Sequence, residues 1–85
     1  PGAFLESKYG KITIWHAYPL FSNLPQAKKA GEVMWINEWR GVTVATGDKK
    51  AVQISRISDA SGNEMWADDW AKKVGIKAGD MLINE

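Results

Sequence analysis

The segment WAKKVGIKAGDMLI, residues Trp70–Ile83, is the most informative part of the sequence, together with the earlier segment VQISRI at Val52–Ile57. Gly75 is placed to end a helix in the left-handed conformation, and the apolar residue after it can pack back on the last turn as in a Schellman motif. Ala78–Asp80 has the composition of a turn, and the apolar residues that follow are typical of a buried strand. The order predicts a strand, a short helix, a tight turn and a second strand at Met81–Ile83.

The charges of the predicted helix match its dipole. The helix is expected to begin near Glu64, with Asn63 as the N-cap. Its acidic residues come early and its basic residues come four positions later, in the pairs Asp68 with Lys72 and Asp69 with Lys73. Trp66, Trp70 and Val74 recur every four residues, a spacing typical of a stripe that packs on a core.

An alternating pattern across Lys11–Tyr18 predicts the first long strand. Trp15 projects from one face and is expected to be exposed, and the other face holds Ile12, Ile14, His16 and Tyr18. Pro19 is expected to end this strand. A short helix is predicted next, across Asn23–Gly31, with Pro25 in its first turn, where the missing amide hydrogen costs little.

Three further strands are predicted between the two helices, at Val33–Arg40, Val42–Ala45 and Ala51–Ile57. Trp35 and Trp39 stand at even spacing on one face of the first of them and are expected to pack. The predicted fold class is α+β, a small partly open β-barrel or sandwich of about five strands with two short helices. A chain of 85 residues is expected to form a single domain over residues 1–85.

The composition gives no strong electrostatic signal. The 11 basic and 10 acidic residues leave a net charge of +1, which favours peptide or protein partners over nucleic acid or an acidic membrane. There is no cysteine, so disulfides and thiolate metal sites are excluded. No apolar run approaches the ~20 residues of a membrane span, so direct membrane insertion is not expected. Pro1 in place of an initiator Met suggests an excised or processed fragment.

Catalytic patterns are not found in the sequence. His16 is the single histidine, and without a second histidine or a cysteine it cannot build a metal site or a nucleophile–base pair. Asp68 and Asp69 are adjacent and would point about a hundred degrees apart on a helix, so they cannot flank one bond as paired carboxylates do. No phosphate-binding loop, nucleophile elbow or zinc spacing occurs. The sequence predicts no catalysis by this domain, no metal and no cofactor.

Val52–Ile57 followed by Trp70–Ile83 resembles the middle of a PDZ domain, especially the bacterial kind attached to proteases and secretion proteins. The positions that match the family are Ala71, Gly75, Ile76, Gly79, Asp80 and Leu82. After Glu85 a PDZ domain would still need a strand, its groove helix and a closing strand. Asn23–Gly31 resembles that helix and Glu32–Val44 resembles the closing strands. The resemblance therefore implies a permuted order, or halves that swap between two chains.

A PDZ domain binds extended peptide segments or C-terminal tails by adding them as a strand to a sheet edge. The resemblance implies a carboxylate-binding loop and a pairing strand made by Trp39, Arg40, Gly41, Val42, Thr43 and Val44. Across the groove it implies contacts from Leu24, Ala27 and Lys28. It implies a non-enzymatic peptide- or protein-binding module, a homodimer formed by element swapping, and a periplasmic or membrane-associated location. The alternative is that residues 39–44 form an internal strand with a bend.

Three other interpretations remain open. A bacterial SH3-type barrel that binds cell wall or peptides is consistent with Ala51–Ile57, a hairpin centred on Gly62 and Trp66. A swapped-hairpin DNA-binding factor has a segment that resembles Trp70–Leu82, although near-neutral charge disfavours it. An architectural subunit of a larger assembly would bury the abundant tryptophan, which numbers five in 85 residues.

Overall fold

The computed structural model describes residues 3–20, 29–37, 41–47 and 50–82. Six strands lie in these ranges: β1 Ala3–Ser7, β2 Gly10–Leu20, β3 Val33–Asn37, β4 Gly41–Gly47, β5 Lys50–Ser58 and β6 Glu64–Trp66. Within the described residues there is one helix, α1 at Ala67–Val74, which follows β6 directly. The domain is therefore an α+β domain dominated by its sheet.

The strands form one antiparallel sheet in the order β1-β2-β5-β4-β3, and β6 pairs with β5 outside this path. The central strand is β5, because β2 pairs along one of its edges while β4 and then β6 pair along the other. β1 and β3 lie at the two ends, so the sheet does not close. The predicted open architecture is confirmed in this coarse form, whereas a PDZ-like arrangement is not confirmed.

The core lies between the inner face of the sheet and α1. Its larger buried side chains come from the helix, the strands and the segment after the helix: Ile12, Val33, Val42, Val44, Ile54, Ile57, Trp70, Ile76 and Leu82. Trp70 meets Tyr9 edge to face with ring centroids 6.0 Å apart, a geometry worth about 0.5–1.5 kcal/mol beyond the burial itself. Because α1 covers the inner face, we call the opposite side of the sheet the outer face.

Gly75 ends α1 as predicted. It adopts the left-handed conformation with φ of 84°, and the amides of Gly75 and Ile76 both donate to the Ala71 carbonyl, at 2.9 and 2.8 Å. Ile76 is buried, as a Schellman-type ending requires of the residue that packs back. The local sequence signal was sufficient here because every partner lies within six residues of the glycine.

The start of α1 was predicted too early. Glu64–Trp66 forms β6 instead of a first helical turn, and the helix begins at Ala67 with Trp66 extended at its N-cap. Asn63 is not the cap, because it lies three residues before the N-cap position; its backbone N–H donates to the Asp59 carboxylate in the preceding loop. The expectation that Trp66 packs in a helical stripe is wrong, since a strand sets its direction and leaves it exposed.

β2 continues beyond the predicted end at Tyr18 and includes Pro19. After Ile14 no described strand pairs with the second edge of β2, and proline is tolerated on such an edge. The pairing with β5 is irregular on both sides of His16. The simple alternation therefore does not extend to Tyr18, which is exposed and does not share the buried environment of the strand's first half.

The strand predicted after the helix, at Met81–Ile83, is reduced to a single bridge between Glu32 and Met81. The buried residue Leu82 follows this bridge. The rest of that prediction lies outside the described residues. Most of the predicted short helix at Asn23–Gly31 also lies outside them. At its end, Gly31 has φ of 91° and its amide donates to the carbonyl of Ala45 in β4.

Candidate interaction surface

Three exposed aromatic side chains lie on the outer face around the end of β5: Phe4, Trp15 and Trp66. Their strand neighbours Ile14 and Met65 pack on the core. Because side chains alternate along a strand, the neighbours of inward residues point outward. The prediction that Trp15 is exposed is confirmed, at 44% of its surface, and Trp66 is exposed at 39%.

Two rows of directly paired residues cross the strands on this face. The first row runs from β2 through β5 to β6 and contains His16, Arg56 and Trp66. The second row runs from β1 to β6 and contains Phe4, Thr13, Ser58 and Glu64. Directly paired residues of antiparallel strands have Cβ atoms about 4.5–5.5 Å apart. The rows therefore bring aromatic, cationic and hydroxyl groups from four strands onto one surface.

Arg56 is held by two neighbours on β6. Its guanidinium lies 4.6 Å from the centroid of the Trp66 ring, and its Nε donates to Glu64 Oε2 at 2.8 Å. The Arg56 side chain keeps 28% of its surface exposed.

Trp15 is fixed by a hydrogen bond across the sheet. Its indole Nε1 donates to Ser58 Oγ at 2.8 Å, which places the ring beside the β5 strand. Trp15, Arg56, Ser58, Glu64 and Trp66 thus form one connected patch, which we call the Arg56 surface. Next to the Arg56 surface, Lys11 Nζ lies over the Phe4 ring, 4.4 Å from the ring centroid.

The loop before β6 is organised by one carboxylate. Asp59 Oδ1 accepts from the amides of Ser61 and Asn63, both at 2.9 Å, and Oδ2 accepts from Lys73 Nζ at 3.2 Å. The Asn63 amide makes the largest contribution in holding the pKa of Asp59 below its ordinary value, with help from Lys73 and against the opposing effect of burial. This loop sets the position of β6, and hence of the Trp66 side of the Arg56 surface.

Sequence reasoning missed most of the Arg56 surface. Arg56 and Ser58 alternate with the buried Ile57 on one strand, a pattern that indicates an outward-facing pair. The error came from the adjoining segment, because Glu64 and Trp66 were assigned to a helix. Only the pairing of β6 with β5 brings Glu64 and Trp66 beside Arg56.

The residues predicted to pair with a peptide lie in the interior of the sheet. Val42, Thr43 and Val44 belong to β4, which has β3 on one side and β5 on the other. Neither edge of this segment is open to an added strand. Gly41 begins β4 opposite Asn37 and has φ of 95°. The structure therefore corresponds to the alternative in which this segment is an internal strand.

The other residues of the predicted peptide site lie outside the described residues: Leu24, Ala27, Lys28, Trp39 and Arg40. Trp35, which was expected to pack beside Trp39, is exposed at 40% of its surface. It lies on the end strand β3 opposite Thr43 of β4, two strands from Arg56.

The fold and the surface define a small antiparallel-sheet domain that buries one face under a helix and presents aromatic and charged groups on the other. The family model described as formyl transferase, C-terminal domain, matches residues 1–75 of the 85. The chain belongs to this family. No curated protein matches the chain.

The family match overturns several predictions. The PDZ assignment is wrong because the two domain assignments are incompatible, and the peptide-binding function and the protease association are wrong with it. The periplasmic or membrane-associated location was implied by that resemblance alone and loses its basis. The SH3-type, DNA-binding and architectural alternatives are not supported either. The prediction of a non-enzymatic module is also wrong, since the matching family is a domain of formyl transferase enzymes.

Two further observations concern the described residues. No group of three or more His, Cys, Asp or Glu side chains lies close enough together there to hold a metal ion. In the same part of the chain, no helix has the length and apolar character required to cross a membrane.

Proposed function

We propose that residues 1–85 form one module that serves a formyl transferase, the enzyme class that moves a formyl group from a donor to an acceptor. The observation that carries this proposal is the match of the formyl transferase C-terminal domain family over residues 1–75. Among the described residues, the match includes the six strands and the helix up to Val74, so it covers the sheet seen there and the helix that packs on its inner face.

The structure supports a role in which the module supplies a preformed face to the enzyme. The Arg56 surface is assembled from strands β2, β5 and β6 and is held by the Trp15–Ser58 and Arg56–Glu64 hydrogen bonds. Side chains that are already positioned lose less conformational freedom on binding. In this proposal the module holds the formyl-transferring part of the enzyme or its acceptor in a fixed orientation, and orientation contributes to rate.

The test measures transfer of an isotope-labelled formyl group to amine acceptors by the intact protein that contains residues 1–85. Two glycine variants test whether formyl transfer requires the folded module. Gly41→Ala would put a Cβ 1.9 Å from the Ile54 carbonyl oxygen, whereas a Cβ at Gly62 meets nothing within 4 Å. Both glycines have positive φ, so Gly62→Ala is the matched control for backbone strain alone.

The expected result is formyl transfer by the parent protein that persists in Gly62→Ala and falls in Gly41→Ala. Circular dichroism of both variants establishes which one has lost the fold. Absence of formyl transfer to any amine acceptor by the folded parent protein would overturn the proposal. The predicted homodimer by element swapping stays a prediction, and light scattering on the same samples measures it.

A further inference from the structure

We propose that residues 77–82, which we call the strap, fasten the two ends of the sheet together and open as a unit while the rest of the fold stays intact. The strap follows α1 after Gly75 and Ile76. It lies beyond residues 1–75, the part of the chain that the family model matches. The inference therefore goes beyond the proposed function and does not depend on it.

The first step is the position of the strap between the two ends of the sheet. Among the described strands, β1 pairs only with β2 and β3 pairs only with β4. The Leu82 amide donates to the carbonyl of Gly31, just before β3, at 2.8 Å. The Leu82 carbonyl accepts from the amide of Lys8, in the turn between β1 and β2, at 3.0 Å. One residue of the strap is therefore bonded to both ends of the sheet.

Two more backbone hydrogen bonds attach the strap to β3. The Gly79 amide donates to the Val33 carbonyl at 2.7 Å, and the Val33 amide donates to the Asp80 carbonyl at 2.8 Å. They continue the antiparallel pattern of the single bridge described above. With the two bonds of Leu82, four backbone hydrogen bonds join the strap to the sheet within the described residues.

The strap begins with a turn that its own residues stabilise. Asp80 Oδ2 accepts from the Lys77 amide at 2.8 Å, and the Asp80 amide donates to the Lys77 carbonyl at 3.1 Å. Gly79 has φ of 96° in this turn, a conformation that glycine adopts without steric cost. A change at the Asp80 carboxylate therefore acts on the turn without shortening a side chain of the core.

The strap has little buried surface to hold it in place. Lys77, Ala78 and Gly79 are exposed, and Leu82 is the one fully buried residue between 77 and 82. In contrast, β5 is paired along both edges and contributes several side chains to the core. Segments with few buried apolar contacts open at a lower free energy than core strands. Because all four bonds to the sheet come from one short segment, they break together.

The rest of the domain keeps its own attachments when the strap opens. The turn between β1 and β2 loses the bond from Lys8, but Tyr9 in the same turn still packs on Trp70 of α1. The strands β1 and β3 keep their pairing with β2 and β4. Opening therefore uncovers the part of the core that Leu82 covers, and leaves the sheet and α1 in place.

The experiment is hydrogen–deuterium exchange of the intact protein that contains residues 1–85, read at single residues by mass spectrometry with electron-transfer fragmentation. The reporters are the four amides that donate in the bonds between strap and sheet: Lys8, Val33, Gly79 and Leu82. They lie in three separate parts of the chain, so a shared protection factor identifies one opening event.

The variant that tests the strap is Asp80→Ala, which removes the carboxylate from its turn. The matched control is Asp59→Ala, because the Asp59 carboxylate also accepts from backbone amides, in the separate loop before β6. Circular dichroism of both variants reports whether the fold is retained. If Asp80→Ala fails to fold, the comparison of the reporters with β5 in the parent protein still decides.

The expected result is one protection factor shared by the four reporters, roughly tenfold or more below that of the β5 amides. Asp80→Ala should lower the shared value about 3- to 10-fold, as expected for the loss of one hydrogen bond, and leave β5 unchanged. Asp59→Ala should speed exchange at Ser61 and Asn63 and leave the reporters unchanged.

Reporters protected as strongly as β5 would overturn the proposal, because the strap would then open only with the whole domain. Protection factors that differ among the four reporters by more than roughly tenfold would also overturn it, since the bonds would not break together. So would a folded Asp80→Ala variant with unchanged reporters, or an equal effect on them in Asp59→Ala. Formyl transfer is assayed separately, and its absence overturns the proposed function alone.

Discussion

The guanidinium of Arg56 on β5 lies over the indole ring of Trp66 on β6, 4.6 Å from its centroid, and the two residues are directly paired across the strands. β6 has only three residues, so few backbone hydrogen bonds hold it. The side-chain contact therefore contributes to the position of β6 and of the helix that begins immediately after it. This relationship links the packing of the domain to the Arg56 surface.

The contact between Arg56 and Trp66 should be measurable as a coupling energy. We expect a coupling energy of about 0.5–1 kcal/mol between Arg56→Ala and Trp66→Ala, which is the range for a partly exposed cation–π pair. A double-mutant cycle by urea unfolding measures the coupling. The same cycle with Arg56→Ala and Trp35→Ala is the control and should be additive, because these residues lie on strands that are not neighbours. Coupling of equal size in both cycles would contradict the prediction.

Replacement of Gly41 should be far more costly than replacement of Gly62. Both residues have positive φ, which costs a side-chain-bearing residue about 1–2 kcal/mol. Only at Gly41 does an added Cβ overlap the neighbouring strand, 1.9 Å from the carbonyl oxygen of Ile54. We expect Gly62→Ala to lose about 1 kcal/mol of unfolding free energy and Gly41→Ala to lose several times more, measured by urea unfolding. Similar losses in the two variants would show that β4 can move away from β5.

Asp59 should make stability depend on pH in acid. The folded-state pKa of this group lies below its ordinary value of 3.8, so the unfolded chain binds the proton first as the pH falls. The stabilisation is complete above the unfolded pKa and is lost as the pH falls through the folded pKa. We expect Asp59→Asn to lower Tm at neutral pH and to flatten the decline of Tm in acid. A decline of Tm in acid that is as steep in Asp59→Asn as in the parent protein would contradict the assignment.

Replacement of Thr43 by valine should stabilise the domain. Its side chain is fully buried in β4, and its Oγ1 makes no hydrogen bond within the described residues. An unsatisfied buried hydroxyl costs about 1–3 kcal/mol, and valine has nearly the same shape and a high strand propensity. We expect Thr43→Val to raise the free energy of unfolding by about 1 kcal/mol in a urea titration. The control Thr13→Val, in a half-buried position, should be close to neutral, and a loss of stability in Thr43→Val would indicate a partner for the hydroxyl.

Features whose causes are local could be predicted from the sequence. The end of the helix at Gly75 depends on residues within one turn, and the strand at Ala51–Ile57 and the exposure of Trp15 follow from short apolar patterns. The open α+β architecture also followed from the order of such patterns. The PDZ resemblance failed because Gly-Ile-Lys-x-Gly-Asp describes a helix end and a turn, which different folds share.

Features that depend on strand pairing became evident with the tertiary structure. Glu64–Trp66 could be read as a helical turn until its pairing with Arg56–Ser58 made it a strand, and Gly41–Val44 could be a binding edge until β3 and β5 enclosed it. Trp15 and Ser58 are 43 residues apart in sequence and meet only across the sheet. The physical reason is that helix caps and turns are set by neighbours in the chain, whereas the partner of a strand is set by burial and hydrogen bonding across the whole sheet.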